Sequence, residues 1–260
     1  MKLSQQDTED EESRVGQAPE QCEIRNELLE CLSKGLPRNV DEAYASPDFL
    51  AWVNDCRSRD LRLYSYRTAQ GKKQLVLWPV RGKAECTLLS LGLEPTASAE
   101  SGFLERFPTC TLISADPEPA NAAHLMKNTT TSVSEQHGRS LVSFMATDLG
   151  LMGEEVDHLW MNVGGAEYAI LEKLLLSDIF ARARLSVCQW NIEFRGVEDS
   201  PLGIINTGGI GSLFESLINH DMLPMHLATY TNHSNSQHIH LKAFFFNFAS
   251  PSCIAKYFDC

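Results

Sequence analysis

The sequence predicts an α/β fold. It is a Rossmann-like, mostly parallel sheet with an antiparallel last strand and helices on both faces, preceded by an N-terminal lead-in of helices and a hairpin. Three observations carry this expectation. From residue 86 onward, strand-like and helix-like segments alternate. Each strand is nearly continuous in apolar residues, the pattern of strands buried on both faces. The final two strand segments, Met225 to Tyr230 and His238 to Phe248, follow each other with no helix between, so they should pair antiparallel.

The elements follow in order. Residues 1–20 are polar and charged, with too little apolar surface to fold, and read as a disordered acidic tail. From Cys22 a helix is expected, because Ile24, Leu28 and Leu32 recur at helical spacing and Gly35 with Pro37 ends it. A second helix starts at Ser46, with Pro47 at its first position, Asp48 in its first turn, and Phe49, Trp52, Val53 and Cys56 as its apolar stripe. Leu61 to Tyr66 and Gln74 to Trp78 alternate as strands around Gln70-Gly71, a hairpin. Residues 21–82 form the lead-in, and residues 83–260 the principal domain. That domain opens with the strand Cys86 to Leu91. Next come a helix from Ala97 to Phe107, a strand from Cys110 to Ala115 and a helix from Pro119 to Lys127. A Thr- and Ser-rich loop leads to a strand at Leu141 to Met145. After it come the strand Val156 to Met161, the Gly164-Gly165 turn and the helix from Ala166. A strand at Leu185 to Glu193, a helix at Ile210 to His220 and the two closing strands complete the order.

Composition narrows the function classes. The chain has 260 residues, 43% of them hydrophobic, and a formal net charge of -12. That charge argues against a nucleic-acid backbone as partner. Half of it lies in the first thirty residues, where nine acids (Asp7, Glu9, Asp10, Glu11, Glu12, Glu20, Glu23, Glu27, Glu30) face Lys2, Arg14 and Arg25. No apolar run reaches membrane-spanning length, and the acidic N-terminus lacks the h-region of a signal peptide. As written, the chain is expected in the cytoplasm, with no membrane partner. None of the eight cysteines forms a C-x-x-C pair, so a zinc site has little support. Cys86, Cys110 and Cys188 lie in apolar strands and read as buried thiols. Cys22, Cys31, Cys56, Cys253 and Cys260 lie outside the expected sheet and are compatible with a disulfide-bearing secreted ancestor. Asn128 and Asn232 head N-x-S/T triplets, which carry meaning only with secretion.

Residues 156–171, V-D-H-L-W-M-N-V-G-G-A-E-Y-A-I-L, concentrate the functional signal. A parallel α/β sheet places small-molecule sites at such a strand-to-glycine-to-helix junction. Four further segments join it: C-T-L-L-S-L-G-L (86–93), F-P-T-C-T-L-I-S-A-D-P (107–117), C-Q-W-N-I-E-F (188–194) and H-I-H-L-K-A-F-F-F-N-F (238–248). In this order and spacing they resemble the FkbM-type methyltransferases, in particular the divergent branch expanded in nematodes, over about residues 84–258. The resemblance implies a class I S-adenosylmethionine-dependent methyltransferase fold, whose seven-stranded sheet has an antiparallel last strand. It further implies methyl transfer, typically to oxygen, with a small-molecule or glycan-like acceptor, and it implies no metal.

Methyl transfer needs a held sulfonium cofactor and an aligned acceptor, with water excluded. Gly92 ends the first sheet strand, either as a plain strand end or as the place where the cofactor passes the backbone closely. The resemblance makes Asp116 the ribose ligand at the tip of the second strand; the alternative is a turn aspartate before Pro117. Asn162, Gly165 and Glu167 complete the expected cofactor set. The family usually reads D-x-E-G-A-E there, whereas this chain has Asn162 and Gly164 at the first two carboxylate positions. Asn162 offers hydrogen bonds but neither charge nor a general base. Glu167 in a first helical turn is favoured electrostatically whatever its role.

Glu94 stands where the nematode branch tends to have a second loop glycine. The polar run Asn128 to His137 stands where the family has an apolar strand, so one strand or part of the adenine pocket is expected to be missing. Gln189, Asn191 and Glu193 share one face of their strand and either read the acceptor or bond within the sheet end. His238 and His240 share a face at chelating spacing, but His220, His226 and His233 show no matching pattern, and no metal site is assigned. No residue is assigned as catalytic. Three readings follow: an active methyltransferase with a degenerate cofactor site, a non-catalytic relative that keeps the fold as a binding module, and a dinucleotide-binding domain supported by Gly92 and Asp116 but lacking G-x-G-x-x-G.

Overall fold

The computed structural model describes residues 22–35, 47–57, 61, 63–67, 73–80, 85–92, 97–115, 129–133, 155–165, 167, 168, 170, 171, 185–194, 209–231, 239–258 and 260. The acidic tail, the helix expected at 119–127, the strand expected at 141–145, and Glu94, Asp116 and His238 lie outside the described residues.

In chain order the elements are α1 (Glu23–Gly35), α2 (Pro47–Cys56), β1 (Leu63–Arg67), β2 (Lys73–Leu77), β3 (Cys86–Leu91), α3 (Ser98–Arg106), β4 (Cys110–Ala115) and β5 (Thr129–Val133). Then come β6 (Glu155–Met161), β7 (Ser186–Phe194), α4 (Gly209–Asn219), β8 (Met222–Thr231), β9 (Ile239–Asn247) and α5 (Pro251–Tyr257). Seven strands form one sheet in the order β5-β4-β3-β6-β7-β9-β8. β5, β4, β3, β6 and β7 run parallel, and β9 inserts antiparallel between β7 and β8. The expected antiparallel pairing of the last two strands is therefore present, and β9 is antiparallel to both its neighbours.

Two expectations are corrected. The polar run after residue 128 does not lack a strand: Thr129–Val133 pairs parallel with β4 as the sheet edge. Its β-branched threonines and valine suit a strand, and an edge position does not demand the apolar run that marks a central one. The second correction concerns cysteine. All eight cysteines are paired, as Cys22–Cys260, Cys31–Cys56, Cys86–Cys110 and Cys188–Cys253. Cys86, Cys110 and Cys188 are thus not free thiols. Cys86 and Cys110 face each other in the β3–β4 register, and Cys188 meets Cys253 on α5. The sequence pattern does not predict α5, although Ser250-Pro251 is a legible start. The Ser250 hydroxyl accepts from the Cys253 N–H, and Pro251 opens the first turn.

The lead-in packs on the sheet. α2 lies along the exposed edge of β8, where the Asn54 amide donates to the Leu227 carbonyl and accepts from the Leu227 N–H, each at 2.9 Å. This occupies backbone groups that an edge strand otherwise leaves open. Phe49 of α2 meets Phe214 of α4 at 6.4 Å between ring centres. Arg25 of α1 pairs with Asp221 at 2.7 Å. On the other side, α3 seats Phe103 against Trp160 (5.4 Å) and His158 (5.2 Å).

Candidate functional site at the C-terminal mouth of the sheet

Parallel register brings three strand ends to one mouth. Leu91 lies beside Ala115 of β4 on one side and Met161 of β6 on the other. The next residues, Gly92 and Asn162, touch: the Asn162 N–H donates to the Leu91 carbonyl at 2.8 Å. Gly92 has φ +78°, and a Cβ there would lie 1.9 Å from the Asn162 carbonyl oxygen. Glycine is required here by the close approach of two loops as well as by its left-handed backbone. The close neighbour of Gly92 is thus the chain's own backbone at Asn162.

The loop after β6 is shaped by two further left-handed glycines, Gly164 at +70° and Gly165 at +100°. A Cβ on Gly164 would meet nothing within 4 Å among the described residues, so the described loop is open beside it. Glu167 is fully buried and accepts from the Val163 N–H at 3.1 Å. Its carboxylate reaches back over the turn and fixes the loop from inside. Tyr168 behind it packs on Phe194, 5.7 Å between ring centres. Burial, then the neighbouring Glu167 charge, raises the Tyr168 phenol above its ordinary range, so it remains protonated. One acceptor in the mouth is left over: Asn162 Oδ1 is buried and has no hydrogen-bond partner among the described residues. A buried orphan of this kind is uncommon and suits an incoming N–H or O–H donor.

Gln189, Asn191 and Glu193 share one face, as expected, but two of them have partners in the lead-in. Asn191 accepts from the Leu75 N–H (2.7 Å) and donates to the Leu75 carbonyl (2.8 Å). Gln189 accepts from the Leu77 N–H (2.7 Å) and donates to the Leu77 carbonyl (3.3 Å). The two amides act as a surrogate strand for β2 and dock the hairpin on the sheet. Glu193, at 3% exposure, stands opposite Lys242 of β9 in register.

Lys242 was not singled out from the sequence, although the alternation His238, His240, Lys242 places it on this face. His226 of β8 lies opposite Phe244 on the same face. Burial first, then the nearby charges of Arg57 and Lys73, push its pKa down to about 4. Its imidazole is neutral at pH 7.

The opposite end of the sheet is built differently. Asp157 accepts from Tyr257 Oη (2.7 Å) and the Thr87 N–H (2.9 Å), and pairs with Lys256. This holds α5 against the strand starts. His158 beside it, buried, is also held neutral, its pKa pushed down to about 4 by burial and then by Lys256, against the opposing pull of Asp157. A cavity of about 380 Å³ opens there between Trp78, Phe107, Arg106 and His158, away from the glycine loops. Among the described residues, Glu155, Cys188 and Cys253 are close enough to share a metal ion. The two sulfurs are bonded to each other, which removes their thiolate donors.

No family model matches the sequence, and no curated protein matches it. Among solved structures, the chain is similar to M. capricolum TrmK in complex with S-adenosyl-homocysteine, with TM-score 0.39 and 12% identity over 67% of this chain and 65% of that one. It is also similar to the METTL16 MTase domain, with TM-score 0.42 and 8% identity over 65% and 63%. A third is the Methanococcus jannaschii fibrillarin pre-rRNA processing protein, with TM-score 0.41 and 9% identity over 73% and 84%. The chain spans 65% of the length of the TrmK structure. The fold assignment stands on strand order and direction, independently of these overlaps.

Proposed function

We propose that this chain is a methyltransferase-fold protein that binds S-adenosylmethionine at the mouth formed by β3, β4 and β6. The observation that carries the reading is the unpartnered Asn162 Oδ1 beside the open Gly164 turn, in a sheet with an antiparallel strand inserted next to its edge. The residues fit the group. Asn162 can accept from the ammonium of an amino-acid moiety, Gly164 leaves room for it, and Asp116 follows Ala115 in the sequence as the ribose ligand that the family resemblance implies. When bound, the cofactor supplies an electrophilic methyl group on sulfur. The chain's own contribution is to orient donor and acceptor and to exclude water. The finer reading is O-methyl transfer to a small-molecule or glycan-like hydroxyl.

One observation favours a second reading, a non-catalytic binding module. The Glu167 carboxylate of the loop is buried and committed to Val163, and positions 162 and 164 carry no charge. Asn162 and Gly164 can neither steady a cation by charge nor take a proton, which leaves Glu167 as the one carboxylate of the described loop. Photo-crosslinking with radiolabelled S-adenosylmethionine, followed by peptide mapping, tests the placement. Label is expected in the peptide containing Asn162 to Tyr168 or in that containing Gly92. Label confined to the Trp78–Phe107 end of the sheet would overturn it.

The four disulfides bear on where the protein works. Bridges that consume every cysteine are characteristic of oxidising compartments and rare in the cytosol. We therefore favour an oxidising compartment over the cytoplasm, and no described helix is long and apolar enough to cross a membrane.

A further inference from the structure

We propose that Arg57, Lys73, His226 and Lys242 form a binding site for a tetrahedral oxyanion, a phosphate or sulfate group, either free or carried by the acceptor. The register places the components. His226 lies opposite Phe244 and Ala228 opposite Lys242, so His226 and Lys242 are diagonal neighbours on one face, about 7–8 Å apart at the backbone. The same face carries β2, because Asn191 and Gln189 bind the Leu75 and Leu77 backbone there, and Lys73 is the first residue of β2. Asn54 clamps Leu227, the neighbour of His226, and Arg57 lies three residues beyond Asn54. Four elements thus bring their donors to one place.

The chemistry of the donors is that of an anion site. Arg57 Nε and His226 Nδ1 are buried and have no hydrogen-bond partner among the described residues. Lys242 is 9% exposed. The charges felt most at His226 are both cations, Arg57 and Lys73, and no carboxylate is among them. Among the described residues, Glu193, opposite Lys242, is the one acid that the register places on the row; set against Arg57, Lys73 and Lys242 it leaves an excess of two positive charges. In a chain of net charge -12 such a cluster is out of character with the whole surface. A doubly charged oxyanion supplies both the counter-charge and the acceptor oxygens that Arg57 Nε and His226 Nδ1 lack among the described residues. The row of Glu193 and Lys242 also lies next to the tip of β6, since Met161 pairs with Ile192. If the proposed methyl-donor reading holds, the site anchors the acceptor; anion binding itself does not depend on that reading.

The test is calorimetric titration of the full chain, without S-adenosylmethionine, using inorganic phosphate and then phenyl phosphate, against chloride at equal ionic strength. Saturable binding is expected, and Arg57→Met and Lys73→Met should each weaken it about tenfold. Neither position lies in the apolar core, so both variants should keep the wild-type circular dichroism; Lys242→Met is the harsher third variant. Tighter binding of inorganic phosphate identifies a free ion as the ligand, and tighter binding of phenyl phosphate identifies an acceptor group; both support the site. No saturable binding at roughly 10 mM, or affinity unchanged in both Arg57→Met and Lys73→Met, would overturn it. Because the cofactor is absent, failure here is separate from failure to bind S-adenosylmethionine.

Discussion

At the scale of single residues, geometry converts two sequence motifs into specific requirements. Gly92→Ala combines an unfavourable left-handed backbone with a Cβ 1.9 Å from the Asn162 carbonyl. We expect a loss of at least ~2 kcal/mol in urea unfolding, and an unchanged midpoint would contradict the close approach. His158 gives a pH signature. Its folded-state pKa of about 4 lies below the ordinary 6.5, so the unfolded chain takes up the proton first as the pH falls. Its contribution to stability is complete above pH ~6.5 and is lost on descending to pH ~4, on the order of 3 kcal/mol. His158→Phe should flatten that part of the urea-midpoint profile, and an unaltered slope would show that His158 is not held neutral. Gly92, Asn162 and the glycine turn were legible because glycine between a buried strand and a helix has few other uses. Their partners were not, since no spacing rule says that Glu167 folds back to Val163.

At the scale of elements, the docking of the hairpin is the feature least visible beforehand. Alternation showed that Gln189, Asn191 and Glu193 share a face, but not what covers that face. The cover is β2, held by side-chain amides in place of a strand ladder. Asn191→Ala removes the partner of the partly buried Leu75 N–H and carbonyl, which costs about 1 kcal/mol for each lost bond. Hydrogen exchange should accelerate at Leu75 ahead of the sheet core, and uniform protection would argue against the clamp. Most helices and strands were legible to within a few residues, because periodicity and turn residues act locally. β5 is hidden in the sequence because an edge strand is not required to be apolar, and α5 is hidden because its single turn-starting signal, Ser250-Pro251, follows directly on a strand.

At the scale of the whole molecule, the four bridges and the sheet order define the protein together. Cys22–Cys260 ties the start of α1 to the end of the described chain across a separation of 238 residues, the kind of long loop whose closure restricts the unfolded chain most. Protein isolated without reductant should show no titratable thiol, and Cys22→Ser/Cys260→Ser should lower stability by ~2–5 kcal/mol; eight free thiols in the native protein would exclude the oxidising compartment. Pairing was illegible in the sequence because cysteines far apart in the chain meet only once the fold is formed. The proposed cofactor site is half legible: parallel topology points to the mouth, while the absence of charge at positions 162 and 164 acquires meaning only against the pattern of the family that the sequence resembles. Calorimetric titration of the intact chain with S-adenosylmethionine tests the site most directly. Binding in the micromolar range, weakened about tenfold by Asn162→Ala, is the expected result. No heat of binding at millimolar cofactor, with the chain folded and its four bridges intact, would contradict it.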